Sequence, residues 1–250
     1  VNLLIVYPNL ICSTKKIYKK DKLLNPRKES TVFNVKDKIV IVTGSGRGNG
    51  EAIADGFLTR GAIVYGIDIE FRSDLEHKNY NKIIFDVSQL DKIPELVQEI
   101  YTQNEAIDVL VNNAGVGLAS DNPYSDEIFD KTFQVNLRGA YIFSHQVAIL
   151  MSNKAGGSII NITSLGAEFG FPANPAYQVS KAGLKQLSKS LAMDFGKFGV
   201  RANNVCPGYI RTSMTEKGYQ DEQLRNEKLN RMILGRWGSP EDLVGPCIFL

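Results

Sequence analysis

Short apolar runs alternate with amphipathic stretches from about residue 36 onward. Lys38-Ile39-Val40-Ile41-Val42-Thr43 is unbroken in its apolar centre, the pattern of a strand buried on both faces. Comparable runs lie at 62–68, 82–86, 108–112, 158–164 and 200–206. Between them, residues 51–60, 90–103, 126–151 and 177–195 carry helical periodicity. Strands that alternate with helical crossovers predict an α/β fold: a doubly wound parallel sheet (Rossmann-like) with helices on both faces. A last helix is predicted to open at Ser239-Pro240-Glu241, where Ser caps, Pro suits the first turn and Glu meets the positive dipole end. Pro246 then falls in its interior and predicts a kink or an early end.

No repeat, linker or low-complexity block divides residues 34–250, so they read as a single domain. Residues 1–33 read as a basic N-terminal appendage, a solvated and disordered arm. The formal net charge is +2, but residues 1–30 carry net +5 and the remainder net −3. A body of that sign lacks the positive field of a nucleic-acid binder. Val1 to Ile11 is apolar, but it is broken by Pro8 and too short to span a bilayer. Its basic cluster follows the apolar run, whereas a secretory leader places it before. Cys12, Cys206 and Cys247 form no CxxC pair, and an odd count suits a reducing, cytoplasmic setting. His77 and His145 lack ligand-like spacing, so no metal site is expected.

The chemistry is concentrated in three places. Thr43-Gly44-Ser45-Gly46-Arg47-Gly48-Asn49-Gly50 follows the first strand and opens the first helix. Gly44 permits a tight turn, Gly48 lets backbone approach a pyrophosphate, Gly50 allows close packing, and the helix N-terminus offers free N–H groups to phosphates. Asp68 ends the second strand eighteen residues past Gly50, where a carboxylate accepts bonds from ribose hydroxyls and repels a 2′-phosphate. NAD is therefore preferred over NADP, although Arg47 is placed to reach a 2′-phosphate. Tyr177 and Lys181 share one helix face at i, i+4, and an adjacent ammonium is expected to lower the phenol's pKa toward neutrality. Ser164 ends the strand before them and can donate to a substrate carbonyl. About one Tyr-x-x-x-Lys is expected by chance, and Tyr18 with Lys22 is such a copy, far from any strand or Gly-rich loop.

Taken together, residues 36–250 resemble the short-chain dehydrogenase/reductase family. Thr43-Gly44-x-x-x-Gly48-x-Gly50 is similar to its cofactor loop, and Asn112-Asn113-Ala114-Gly115 to the segment that supports the sheet beside the adenosine. Asp86-Val87 resembles the pair that holds the adenine, and Pro207-Gly208 with Ile210 and Thr212 the loop at the nicotinamide carboxamide. Asn136, Ser164, Tyr177 and Lys181 match the family's catalytic tetrad in order and spacing. The resemblance implies that Tyr177 is the general acid/base, and that Lys181 holds the nicotinamide ribose and tunes Tyr177. Ser164 would position the substrate oxygen, and Asn136 would bind a water that relays protons from Lys181. It also implies hydride transfer between the cofactor and a carbinol or carbonyl carbon, and a homo-oligomer, tetramer or dimer.

Three departures stand against the family pattern. Asn49 is polar where a small aliphatic residue is usual, Pro246 interrupts a helix, and a last C-terminal strand that covers a sheet edge is missing. Gly235-Arg236-Trp237-Gly238-Ser239-Pro240-Glu241-Asp242 resembles members acting on gluconate-type sugar acids, with Trp237 carrying most of the distinction. Trp237 is equally read as simple packing at the helix start. Residues 212–231 read as a polar helical lid, with Lys217, Arg225, Lys228 and Arg231 as candidate carboxylate attractors or merely solvated charges. The expected activity is NAD-dependent interconversion of a secondary alcohol and a ketone on a small polar substrate, a sugar acid or sugar derivative. The rivals are an NADPH-dependent 3-oxoacyl thioester reductase, a non-catalytic nucleotide-binding scaffold and a sugar-nucleotide epimerase.

Overall fold

Alternate residues of the first strand enter different cores. Ile39 and Ile41 join one apolar cluster, and Val40 and Val42 join another on the opposite face of the sheet. Burial on both faces is what the unbroken apolar run requires. The computed structural model describes residues 33–72, 74–118 and 120–250. The basic arm, Cys12 and the Tyr18/Lys22 pair lie outside the described residues, apart from Phe33, whose exposed ring meets Phe249.

The chain runs β1 (Ile39–Thr43), α1 (Gly48–Leu58), β2 (Ile63–Asp68), β3 (Tyr80–Ile84), α2 (Ile93–Asn104) and β4 (Val109–Asn112). It continues through α3 (Asp126–Phe133), a π turn (Gln134–Gly139), α4 (Ala140–Ser152), β5 (Gly157–Ile162), α5 (Pro175–Phe195) and β6 (Val200–Val205). Two short helices follow, α6 (Glu216–Gln220) and α7 (Glu222–Leu229), then a 3-10 turn (Pro240–Leu243) and α8 (Val244–Phe249). All strand pairs are parallel, in the order β3-β2-β1-β4-β5-β6. The first core holds Phe143, Val147 and Leu191 from α4 and α5; the second holds Ile53 and Phe57 from α1 with Leu243 and Cys247. Among the described residues no helix is long and apolar enough to cross a membrane.

The order of strands reverses between β1 and β4, and a crevice opens at their C-terminal ends. Strand boundaries differ slightly from the pattern: β3 begins at Tyr80, and Asp86 lies past its end. The predicted helix 126–151 is an unbroken helical run in which α3 passes into α4 through the π turn. A π turn adds about one residue to the helical repeat, a shift too small for apolar periodicity to register over so short a stretch. Pro246 is also placed differently from expectation. The 3-10 turn hands over to α8 at Val244, so Pro246 is the third helical residue, where its missing N–H removes no intrahelical bond.

A row of asparagines crosses the sheet just below the crevice. Asn112, Asn161 and Asn204 are in register on β4, β5 and β6. Asn112 Nδ2 donates to Asn161 Oδ1 at 2.7 Å and Ser144 Oγ at 2.8 Å; Asn161 Nδ2 donates to Ser188 Oγ, which donates in turn to Asn204 Oδ1. Asn161 is the centre of this buried chain. Asn161→Ala leaves donors and acceptors on both sides unpaired, and each costs about 1–3 kcal/mol. Urea unfolding is expected to show a loss of about 2–4 kcal/mol, and a loss under ~0.5 kcal/mol contradicts the linked network.

Candidate active site

The crevice encloses about 670 Å³, within the usual range for a ligand pocket. Its floor is the turn between β1 and α1. Gly44 has φ +67°, and a Cβ there would lie 2.7 Å from Ala114 Cα. A Cβ on Gly50 would fall 2.0 Å from the Gly44 carbonyl oxygen. Gly50 thus serves the fold of the loop itself and does not line the crevice, whereas Gly44, Arg47, Gly48 and Asn49 do. No side chain caps α1, so the N–H groups of its first turn have no intrahelical or capping acceptor. Asn113 closes the floor, its Nδ2 donating to the carbonyls of Thr43 and Gly44 at 3.0 and 2.9 Å.

Asp68, at the tip of β2, faces the same space and is also a structural clamp. Oδ2 accepts from Gly46 N at 2.8 Å, and Oδ1 from Ile69 N at 2.7 Å. Arg72 lines this wall too and pairs with Glu70 at 2.7 Å. The sequence reading missed it, since no motif spacing marks a residue in an irregular loop. Asp86 and Val87 form the next stretch of wall, with Asp86 Oδ1 accepting from Ser88 N at 2.9 Å. Ala114 and Gly115 continue it from the end of β4. Pro207, Gly208, Ile210 and Thr212 form the opposite lip.

Ser164, Tyr177 and Lys181 meet at the far end of the crevice. Ser164 lies just past β5 and is held by the Gly166 N–H at 3.1 Å. Burial pushes the Tyr177 phenol up, a hydrogen bond with Ser164 pulls it down, and the Cys206 thiol adds a smaller push upward. The expected lowering is therefore not found in the protein alone, because desolvation outweighs the other effects. Lys181 is buried, and its ammonium stands 5.9 Å from the Tyr177 ring centroid. Its Nζ donates to the Ile162 carbonyl at 2.8 Å, and burial lowers its pKa from 10.5 to about 8. Ile162 escaped the sequence reading because it acts through its backbone.

Asn136 sits in the π turn, fully buried, and does not line the crevice. Its Oδ1 accepts from Val116 N at 2.7 Å, while Nδ2 donates to Val116 O at 3.0 Å and Ser180 Oγ at 3.2 Å. The carboxamide thus fastens the 115–117 loop to the helix that carries Tyr177 and Lys181.

These residues suit a nicotinamide dinucleotide. The unpartnered Asn49 Oδ1, the uncapped helix start and the close-packed Gly44 turn provide polar groups and room where phosphates and sugars would lie.

Residues 44–250 match the family profile described as enoyl-(acyl carrier protein) reductase. A 2-dehydro-3-deoxy-D-gluconate 5-dehydrogenase of Pseudoalteromonas atlantica is 33% identical, covering 87% of this chain and 90% of that protein. A 2-(R)-hydroxypropyl-CoM dehydrogenase of Xanthobacter autotrophicus is 35% identical, covering 85% and 90%. Among solved structures, a Beutenbergia cavernae protein assigned as an NAD(P)-dependent gluconate 5-dehydrogenase, with NADP at low occupancy, superposes with TM-score 0.81. It is 30% identical, with 88% of this chain and 91% of that one covered.

The buried ammonium carries a stability cost that can be measured. Each tenfold change in proton affinity is worth about 1.4 kcal/mol, so holding Lys181 charged at neutral pH costs about 3 kcal/mol. Loss of its bond to Ile162 offsets about 1 kcal/mol of that. Lys181→Met is expected to be more stable by about 2 kcal/mol at pH 7. The folded-state pKa lies below the unfolded one, so the unfolded chain binds the extra proton between about pH 8 and 10.5. Wild type gains stability across that window and the difference narrows. Denaturant titrations at pH 7 and pH 10 test this; a variant less stable at pH 7 contradicts it.

Proposed function

The chain belongs to the short-chain dehydrogenase/reductase family, and on that premise we propose that it interconverts a secondary alcohol and a ketone on a small sugar acid. The observation that carries the proposal is the meeting of Ser164, Tyr177 and a buried Lys181 at one end of a crevice shaped for a dinucleotide. The sugar-acid part draws on the gluconate-type relatives and on Trp237 in the stretch that resembles them.

Gly44, Gly48 and the start of α1 would hold the pyrophosphate, Asp68 the adenosine ribose, and Asp86 with Val87 the adenine. Asn113, Ala114 and Gly115 would line the adenosine side, and Pro207, Gly208, Ile210 and Thr212 the nicotinamide. When bound, the cofactor supplies the hydride acceptor or donor. Ser164 orients the substrate oxygen, and Tyr177 Oη takes the hydroxyl proton in oxidation or returns it in reduction. Lys181, protonated at pH 7, keeps positive charge beside the phenol in a dry site, where it favours the phenolate. Asn136 acts by holding the Val116 loop and α5 in place.

We infer NAD as the preferred cofactor, because the Asp68 carboxylate would face a 2′-phosphate. Arg47 and Arg72 on the same wall favour the NADP reading, as does the NADP in the Beutenbergia cavernae structure. A thioester reductase is the second reading, favoured by the description of the matching profile. Exposed Phe129, Tyr141, Ile149 and Met193 on α3, α4 and α5 support a homo-oligomer.

Tyr177→Phe is expected to reduce kcat at least 100-fold while NADH affinity stays within about threefold. Unaltered turnover sinks the acid/base role. Asp68→Asn keeps an acceptor for Gly46 N but removes the charge. Its ratio of NADPH to NADH affinity is expected to rise at least about tenfold, or 1.4 kcal/mol. A ratio that does not move assigns cofactor choice to other groups.

A further inference from the structure

The lid is a 212–237 excursion whose ends are joined at its base. Ile210 and Gly238 form a bridge, with Arg211 N donating to Gly238 O and Gly238 N to Tyr209 O, both at 2.9 Å. Just outside that bridge, Tyr209 and Trp237 pack together with ring centroids 5.4 Å apart, and Tyr219 meets Trp237 edge-on at 5.2 Å. Trp237 is only 8% exposed, yet its Nε1 has no hydrogen-bond partner. Its ring contacts thus tie the end of the excursion to Tyr209 at its base and to Tyr219 within it.

The cations around this aromatic group differ in what neutralises them. Arg211 forms two bonds to Glu216, and Arg236 two to Asp242. Arg225 stacks on Tyr219 and donates to its carbonyl. Lys228 differs. Its Nζ lies 5.1 Å from the Tyr209 ring centroid and 5.3 Å from that of Trp237. Gly218 leaves room for it, since a Cβ there would come within 2.9 Å of Nζ. Arg231 acts on the same tyrosine, opposing the rise that burial gives the Tyr209 phenol. Among the described residues, neither Lys228 nor Arg231 makes an ion pair.

Tyr209, Trp237 and Lys228 do not line the crevice themselves, but the group adjoins its lip. Tyr209 directly follows Gly208 on the lip, and its ring is 6.4 Å from that of Phe171. The Phe171 backbone is held at both N and O by the side chain of Gln178, the neighbour of Tyr177. Arg225, Lys228 and Arg231 all lack a carboxylate partner among the described residues, but Arg225 has the Tyr219 carbonyl, so Lys228 and Arg231 are the two left to meet an acceptor that carries negative charge.

We propose that Lys228, assisted by Arg231, forms a carboxylate-binding subsite on the lid between Tyr209 and Trp237, and that it selects anionic over neutral polyols. The choice of ligand rests on the sugar-acid reading above. The aromatic faces keep the ammonium partly desolvated while leaving its donors free, so an arriving carboxylate meets an ordered cation rather than a hydrated one.

The test uses Lys228→Met, which retains the apolar stem, and the NADH-loaded full chain. Calorimetry measures the affinity of tartrate, as a hydroxy-acid probe, and of threitol, its neutral counterpart. Wild type is expected to bind tartrate more tightly than threitol. Lys228→Met is expected to lose about 10- to 100-fold in tartrate affinity, the range of a charge-assisted hydrogen bond. Threitol and NADH affinities are expected to shift less than about twofold, which also shows that the variant is folded. Equal tartrate affinity in the two proteins, no tartrate binding to wild type, or a parallel loss for threitol overturns the subsite. Lys228-dependent tartrate binding without turnover of any sugar acid leaves the subsite standing and removes the substrate reading.

Discussion

A parallel sheet whose order reverses between β1 and β4 sends its connecting helices to opposite faces and leaves a gap above the two central strand ends. Backbone groups at those ends have no next element to pair with, and a buried unpaired group costs about 1–3 kcal/mol. The chain meets this requirement with side chains drawn from distant segments. Asn113 reaches the carbonyls of Thr43 and Gly44, Asp68 takes the Gly46 N–H, and Asn136 takes both polar groups of Val116. The loops are held open by these contacts, and the first turn of α1 stays uncapped toward the crevice.

The same constraint places a charge in a dry site. Lys181 enters from α5 and finds one backbone acceptor, Ile162 O, immediately above the asparagine row of β4, β5 and β6. That row fixes the relative height of the strands, and so the position of the carbonyl that receives the ammonium. Desolvation weakens the hold of Lys181 on its proton and of Tyr177 on its phenolate alike. Stability and chemistry pull against each other here, as expected where a polar site is set into an apolar core.

The fold was readable because burial on both faces writes strands as unbroken apolar runs, and the helices between them as amphipathic ones. The π turn was not, since Gln134–Gly139 continues the helical composition on either side of it. Nor was the position of Pro246, because a capping signal at Ser239 does not say whether one helix follows or a 3-10 turn and then another. Side-chain motifs brought most candidate residues to one crevice, yet the pattern could not separate those that line it from Gly50 and Asn136, which shape it from behind. Groups that act through backbone, such as Ile162 and Val116, leave no side-chain signature. Among the four lid cations, sequence offered no ranking. Their neighbours set Lys228 apart, because the folded lid brings the rings of Tyr209 and Trp237 alongside it while Arg225 goes to Tyr219.

Every role assigned to these residues requires that the crevice at the strand reversal bind a nicotinamide dinucleotide. Calorimetric titration of the full chain with NADH tests it most directly. Saturable binding with one site per chain is expected. An absence of heat, with a cooperative unfolding transition showing the chain to be folded, contradicts it.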